Sequence, residues 1–197
     1  MGGIGNGDAS VGAPVAIRVA TADDAQAIAG IYRPYVQETA VTFECTAPGE
    51  DEMRLRIGRT LERYPYFVAE RAGAAVGFTY AGPLRMRRAY EWSCETTIYV
   101  AADARGAGIG AALYGALEDA LGKMGVLSLY ACVAFPDSED EHLTEASLRF
   151  HERMGYRKVG EMRHCGSKFG RWYSIAWMQK DIGPHGPDPQ PISAFRP

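Results

Sequence analysis

The chain has 197 residues, a formal net charge of −3, and 47% hydrophobic against 23% charged residues. That size and balance suit one globular domain with a sizeable core. Mild acidity argues against a general nucleic-acid binder, and no apolar run approaches the roughly 20 residues of a membrane span.

Residues 1–14 are rich in Gly and Ala, with no basic residue and no apolar stretch, and are expected to form a flexible leader rather than a signal or transit peptide. Val15 to Ala20 reads as a strand. Thr21-Ala22-Asp23-Asp24 has the form of a capping box, and Ala25, Ile28, Ala29, Tyr32 and Tyr35/Val36 recur at helical spacing after it. Thr39 to Phe43 reads as extended, and Phe43 is a candidate for lining a substrate pocket. Pro48 to Glu52 opens a second helix with acids in its first turn. Met53, Ile57 and Leu61 form its apolar stripe, and Tyr64-Pro65 ends it.

Tyr66 to Glu70 and Ala75 to Tyr80 are expected strands around a turn at Gly73. Arg85-Met86-Arg87-Arg88 follows in a loop, where arginine forks suit a carboxylate or phosphinate. Tyr90 to Val100 reads as a central strand. It runs into Arg105-Gly106-Ala107-Gly108-Ile109-Gly110, and a long amphipathic helix follows with Ile109, Leu113, Leu117 and Leu121 on one face. Glycines before a helix let a ligand approach the backbone. The free N–H groups of the first helical turn then face that ligand, which makes a main-chain phosphate cradle.

A kinase-type loop would need Gly-Lys-Ser/Thr, but Ala111 and Ala112 follow Gly110. A dinucleotide fold would need an acid about 20 residues on, and Val126 to Phe135 contains none. Leu127 to Phe135 reads as a well-buried strand. Pro136 to Glu141 is an acidic insert without the Gly and spacing of a calcium loop, and reads as solvated. Thr144 to Met154 reads as a helix with Ser147, Phe150, His151 and Met154 on one face. Arg157 to His164 and Trp172 to Lys180 read as a hairpin across Gly166 to Gly170. Residues 183–197, with five prolines, are expected to be extended or disordered. Cys45, Cys94, Cys132 and Cys165 lack metal spacing, so no metal site is expected. They read as buried reduced thiols of a cytoplasmic chain.

The order β-α-α-β-β-β-α-β-α-β-β, an α/β (α+β) class with a mixed, largely antiparallel sheet flanked by helices, is that of the GNAT fold. Arg105 to Gly110 resembles the Arg/Gln-x-x-Gly-x-Gly/Ala signature of the GNAT N-acetyltransferases. Ile31-Tyr32-Arg33-Pro34-Tyr35-Val36, Tyr80-Ala81-Gly82-Pro83-Leu84-Arg85, Glu95-Thr96-Thr97-Ile98-Tyr99-Val100, His151-Glu152-Arg153-Met154-Gly155-Tyr156 and Lys168-Phe169-Gly170-Arg171-Trp172 resemble the phosphinothricin / methionine sulfoximine acetyltransferase branch. The resemblance covers about residues 17–182. It implies a GNAT domain over 15–182, acetyl-CoA as co-substrate, a small amino-acid-like amine as acceptor, and a homodimer.

By that resemblance the main chain of Ile98, Tyr99 and Val100 would hold the pantetheine arm. Arg105, Gly106, Ala107, Gly108, Ile109 and Gly110 would hold the pyrophosphate. Leu84, Arg85, Met86, Ser93, Cys94 and Glu95 would face the acceptor. Thr144 stands where the family usually has an Asn that contacts the cofactor. The amine must lose a proton before it attacks, and a carboxylate near the acceptor can take it, directly or through a water; Glu95, beside Trp92 and Cys94, is the candidate base, its pKa expected to rise with burial. His151 stands where many relatives place a Tyr that protonates the leaving thiolate. A backbone N–H, that of Tyr99 if the strand splays there, would meet the oxyanion. A non-catalytic acyl-CoA sensor, or an acetyltransferase for a protein or tRNA amine, is the alternative.

Overall fold

A computed structural model describes residues 14–197, so all of the expected leader except Pro14 lies outside the described residues. Strands β1 (Val15–Val19), β2 (Tyr66–Arg71), β3 (Ala74–Pro83), β4 (Ser93–Val100), β5 (Ser128–Phe135), β6 (Arg157–Lys168) and β7 (Arg171–Asp181) form one sheet in the order β1-β2-β3-β4-β5-β7-β6. Helices α1 (Ala25–Glu38), α2 (Glu50–Leu61), α3 (Ile109–Met124) and α4 (Ala146–Arg153) complete the expected element order. Every strand pairing is antiparallel except β4 with β5.

Period-two alternation sorts the side chains of β4 to two faces. Cys94 and Ile98 join Leu117 and Leu121 of α3 and Leu129 and Val133 of β5 in the largest core. Tyr99 packs on the other face with Tyr66, Val68 and Phe78, under Ile28 and Tyr32 of α1 and Met53 and Ile57 of α2. Each fully buried aliphatic side chain contributes about 1.5–3 kcal/mol, so the two layers clamp β4 from both sides.

The β4–β5 ladder is short. It covers Ser93 to Glu95 against Ser128 to Tyr130 and stops. At that point the Thr96 hydroxyl donates to the carbonyl of Tyr130 at 3.2 Å. A side chain thus satisfies the acceptor that a further main-chain bond would have used. The Tyr156 hydroxyl donates in turn to Thr96 Oγ1 at 3.2 Å, and Tyr114 of α3 and Tyr156 fill the wedge beneath it. Beyond this fork the strands diverge.

Several expectations are corrected. β4 begins at Ser93, because Arg88–Tyr90 forms a 3₁₀ turn instead of its first residues. The segment 40–42 bends rather than running extended. The last hairpin is tighter than expected, since Gly166, Ser167 and Lys168 pair with Tyr173, Trp172 and Arg171. That leaves Phe169 (φ 53°) and Gly170 (φ 72°) as a two-residue turn with both residues left-handed. Of the four cysteines, all free, Cys94 is buried and Cys45, Cys132 and Cys165 are exposed. Cys45 lies in the loop after α1, Cys165 on the edge strand β6, and Cys132 on β5 where its side chain turns to the cleft.

The Pro-rich tail is irregular but docked. Trp92 Nε1 donates to the Gln190 carbonyl at 2.7 Å, and the Ser193 and Phe195 amides donate to the Met124 and Arg63 carbonyls, both at 2.9 Å. Ile192 and Phe195 pack on the main core, with Phe195 edge-on to Phe67 at 5.8 Å. Truncation after Pro187 is expected to cost about 1–3 kcal/mol of unfolding free energy through those two partly buried side chains. Urea unfolding of the shortened chain measures it, and an unchanged midpoint would mean the contacts contribute nothing.

Candidate active site

The divergence of β4 and β5 opens a cleft of about 320 Å³. Its walls are Glu95 to Tyr99 of β4 and Ala131 to Ala134 of β5, with Tyr32 of α1, the segment Val41 to Glu44, and Ser147 and His151 of α4. No Arg or Lys lines it, and its carboxylates are Glu44 and Glu95. Glu44 is already paired with Arg56 at 2.8 Å. Among the described residues the half-buried Glu95 carboxylate has no hydrogen-bond or ion-pair partner. Burial pushes its pKa up, and the Arg85 charge pulls part of the way back. Glu95 is therefore a carboxylate disposed to take a proton from something in the cleft.

His151 is 4% exposed. Its Nδ1 lies 2.8 Å from the Ser147 carbonyl, which can only accept, so Nδ1 carries the proton. Nε2 of the neutral ring then accepts from the Tyr114 hydroxyl at 2.9 Å. Burial lowers the imidazole pKa against the opposing pull of the Ser147 carbonyl. Both nitrogens are thus taken, and the buried ring is held in one tautomer. Burial raises the Tyr114 hydroxyl well above the usual phenol range.

The main chain of β4 divides its amides by parity. The Leu84 amide donates to Ser93 O at 3.3 Å and the Ala101 amide to Val76 O at 2.9 Å. Stepping by two between these bonds, along the β3–β4 register, turns Glu95, Thr97 and Tyr99 toward β3. Ile98 and Val100 face the open edge. The main chain of Tyr99 therefore belongs to the β3 ladder, contrary to expectation, and its ring sits among Tyr32, Tyr35 and Phe78. The N–H and C=O of Val100 both meet the Tyr35 hydroxyl, at 3.3 and 2.6 Å. Ile98 keeps an open-edge amide at the middle of the cleft.

Below β4, Gly108 has φ 77° and caps α3. Gly106, at φ 78°, is also left-handed, and a Cβ on either residue would meet no atom within 4 Å. The first intrahelical bond of α3 runs from the Ala112 amide to Gly108 O, so the amides of Ile109, Gly110 and Ala111 have no partner within the helix. Arg105 is exposed beside them, its guanidinium 5.0 Å from the Tyr35 ring. Ala107 is exposed in the same turn, whereas the Ile109 side chain is buried in the core and only its amide is available. This open cradle fits an anion. Gly110 differs from the other two glycines, because a Cβ there would stand 2.9 Å from the Phe150 ring. Its missing side chain makes room for α4, not for a ligand.

Phe43 and Glu95 line the cleft, as expected for acceptor-side residues. Cys94 does not: alternation turns it into the α3 core, where burial pushes its thiol up to about 12. Leu84, Arg85, Met86 and Ser93 lie outside the lining, with Met86 90% exposed. The Thr144 hydroxyl accepts from the Ala146 amide at 3.3 Å and starts α4. Sequence reasoning missed Tyr32, Glu44, Tyr114 and Cys132. Two of these carried a signal: Tyr32 lies on the apolar stripe of α1 and within the motif Ile31 to Val36, and Tyr114 stands three and seven residues before Leu117 and Leu121.

The acetyltransferase (GNAT) domain model matches residues 17–177. This chain belongs to the GNAT acetyltransferase family. It is 34% identical to the phosphinothricin N-acetyltransferase of Streptomyces viridochromogenes, over 91% of this chain and 93% of that protein. It is 29% identical to the L-methionine sulfoximine/L-methionine sulfone acetyltransferase of Salmonella typhimurium, over 86% and 95%. Its fold superimposes with a TM-score of 0.80 on a GNAT superfamily phosphinothricin acetyltransferase of Sinorhizobium meliloti, determined in complex with AcCoA. Identity there is 34%, and the match covers 93% of this chain and 96% of that one. In this GNAT chain, as in any fold, function rests on the site rather than the scaffold.

The neutral, buried His151 predicts an acid-side stability loss. Its folded pKa lies below the unfolded value of 6.5. The unfolded state therefore binds more protons as pH falls past that value, and stability drops until the folded pKa is passed. Denaturant titrations of wild type and His151→Gln should diverge in slope below about pH 6.5. Parallel curves would mean that the ring does not titrate on unfolding.

Proposed function

We propose that this chain moves the acetyl group of acetyl-CoA to the amine of a small amino-acid-like acceptor, of the phosphinothricin or methionine sulfoximine type, by direct attack. The observation that carries the reading is the unpaired, half-buried Glu95 carboxylate in a cleft with no cationic side chain. Such a cleft attracts an ammonium and then needs a base to make it nucleophilic. The activities of the phosphinothricin and methionine sulfoximine acetyltransferases that this chain resembles support the substrate class, and the AcCoA complex of the Sinorhizobium meliloti relative supports the donor.

Acetyl-CoA supplies the activated thioester. The open turn at Gly106 and Gly108, the amides of Ile109 to Ala111 and the Arg105 guanidinium are suited to its pyrophosphate. The open-edge carbonyl of Ile98 is suited to the amides of its arm, whereas the main chain of Val100, bound to the Tyr35 hydroxyl, is already occupied. Glu95 takes the amine proton, directly or through one water. The Ile98 amide is the donor best directed at negative charge growing on the carbonyl oxygen. His151 works through Tyr114, by fixing its hydroxyl under the fork. The thiolate that leaves has a pKa near 8.5 and needs little acid help. Arg85, whose charge already reaches Glu95, is available to an acceptor anion at the mouth.

Glu95→Gln keeps the size of the side chain but cannot accept the proton. It should lower kcat by about 10²–10⁴-fold. Because the Glu95 pKa is raised, wild-type kcat/KM should fall on acidification above the ordinary carboxylate range, and that limb should shift in the variant. A change of less than about fivefold at every pH would put proton removal elsewhere.

The assembly we propose is a homodimer, in a reducing cytoplasm that suits four free thiols. Val159, Met162 and Trp172 support the dimer, because they leave apolar surface open on the terminal hairpin. Sedimentation at micromolar concentration should give twice the 21.4 kDa chain mass. A species of chain mass alone would remove the dimer from the proposal.

A further inference from the structure

The tip of the β6–β7 hairpin carries Lys168-Phe169-Gly170-Arg171-Trp172, residues to which the chemistry above gives no work. Lys168 is 8% exposed. Its Nζ donates to the main-chain carbonyls of Thr39 and Thr42, each at 2.8 Å. Among the described residues no carboxylate forms an ion pair with it, unlike Lys158 and Lys180, which pair with Glu161 and Glu118. A buried ammonium without a counter-charge is costly unless its protons find acceptors. Here two carbonyl dipoles of one irregular segment provide them through charge-assisted bonds.

Two residues earlier in β6 the hairpin touches the same segment again. A Cβ on Gly166 would overlap the Phe43 ring. The segment so held has no ladder of its own, yet it gives the cleft Val41, Thr42, Phe43 and Glu44. From the other side the tip is braced by the acidic insert. Arg171 binds both carboxylate oxygens of Glu141, at 2.9 and 3.0 Å, and reaches Asp140 at 2.9 Å. His142 stacks on Phe169 with ring centroids 4.0 Å apart, and the Ala40 amide donates to the His142 carbonyl at 3.0 Å. Hairpin tip, insert and cleft wall form one junction, with Lys168 at its centre.

We propose that Lys168 is a positioning residue for acceptor choice. Its ammonium holds the turn from Thr39 to Thr42 so that Thr42, Phe43 and Glu44 stand as one wall of the cleft, and the acidic insert steadies the tip that carries it. Among the described residues, none of the hydrogen bonds or ion pairs of this junction involves the cofactor cradle at Gly106 and Gly108. The kinetic part of the inference rests on the acetyl-transfer reading above; the structural part does not.

The test uses the full chain carrying Lys168→Met, which keeps length and loses charge and donors. Hydrogen exchange of amides 39–45 should speed up by about tenfold or more while β2 and β3 are unchanged. With phosphinothricin and methionine sulfoximine as acceptors, acceptor KM should rise by about tenfold or more, and acetyl-CoA KM should stay within about twofold. Lys168→Arg should recover part of both effects. Gly166→Ala, which displaces Phe43 without touching the charge, should move the same two readouts in the same direction, and serves if Lys168→Met does not fold. Unchanged exchange over 39–45 would overturn the proposal, as would equal rises in both KM values, which indicate general loosening. If wild type acetylates neither acceptor, the acetyl-transfer reading fails, and the exchange measurement still decides whether Lys168 holds the wall.

Discussion

Two neighbouring strands that stop pairing after three residues govern everything functional in this molecule. A sheet interior normally satisfies every main-chain donor and acceptor. Here the Tyr130 carbonyl is answered by the Thr96 hydroxyl, which is steadied by Tyr156, while Tyr114 occupies the space below. The wedge is polar but satisfied, so it opens the strands without leaving an orphaned group. The gap it creates exposes the edge of β4, where alternate residues offer backbone and side chain to different neighbours. The Ile98 amide faces the gap, the Glu95 carboxylate reaches the cleft from one face of the sheet, and Cys94 is buried on the other.

The same alternation explains how much of the site could be read from sequence. The glycine turn, α3 and the order of elements were legible, because they are local patterns of period 3.6 or of residues with φ constraints. The family motifs marked Glu95 correctly as a cleft residue. What sequence could not give is register. Whether Tyr99 or Ile98 turns its amide to the gap depends on how β4 lies against β3, a relation between residues that are not neighbours in the chain, such as Phe78 with Tyr99 and Thr79 with Ile98. Cys94 fell on the wrong face for the same reason. The docked tail and the tethering of segment 39–43 by Lys168 are longer-range still, 126 residues or more in the latter case, and no local spacing encodes them.

The electrostatics of the cleft are asymmetric in a way that suits an amine. Cations stand around the opening and not inside it: Arg56 is bound to Glu44 and Lys168 is bound to carbonyls. Glu95 is left as the carboxylate without a partner. Any positively charged head group entering the cleft therefore meets one unneutralised acid, while a negative tail is better placed near the mouth. That arrangement orients a zwitterion before any specific contact forms.

The outermost strand, β6, has a consequence for the solution behaviour of the chain. It is 12 residues long, nearly all exposed, and ends the sheet. A flat strand of that length would template fibre growth by strand addition. Two register shifts, between Lys158 and Gly160 and between Met162 and Gly166, break its edge into short runs, and His164 there turns left-handed at φ 47°. Arg157, Lys158, Glu161 and Arg163 add charge along it. The edge is thereby closed to continuous backbone pairing, and contacts with other copies are restricted to side-chain surfaces. An unbroken edge would propagate into a filament by strand addition, and this one offers a further copy only short, charged runs of backbone.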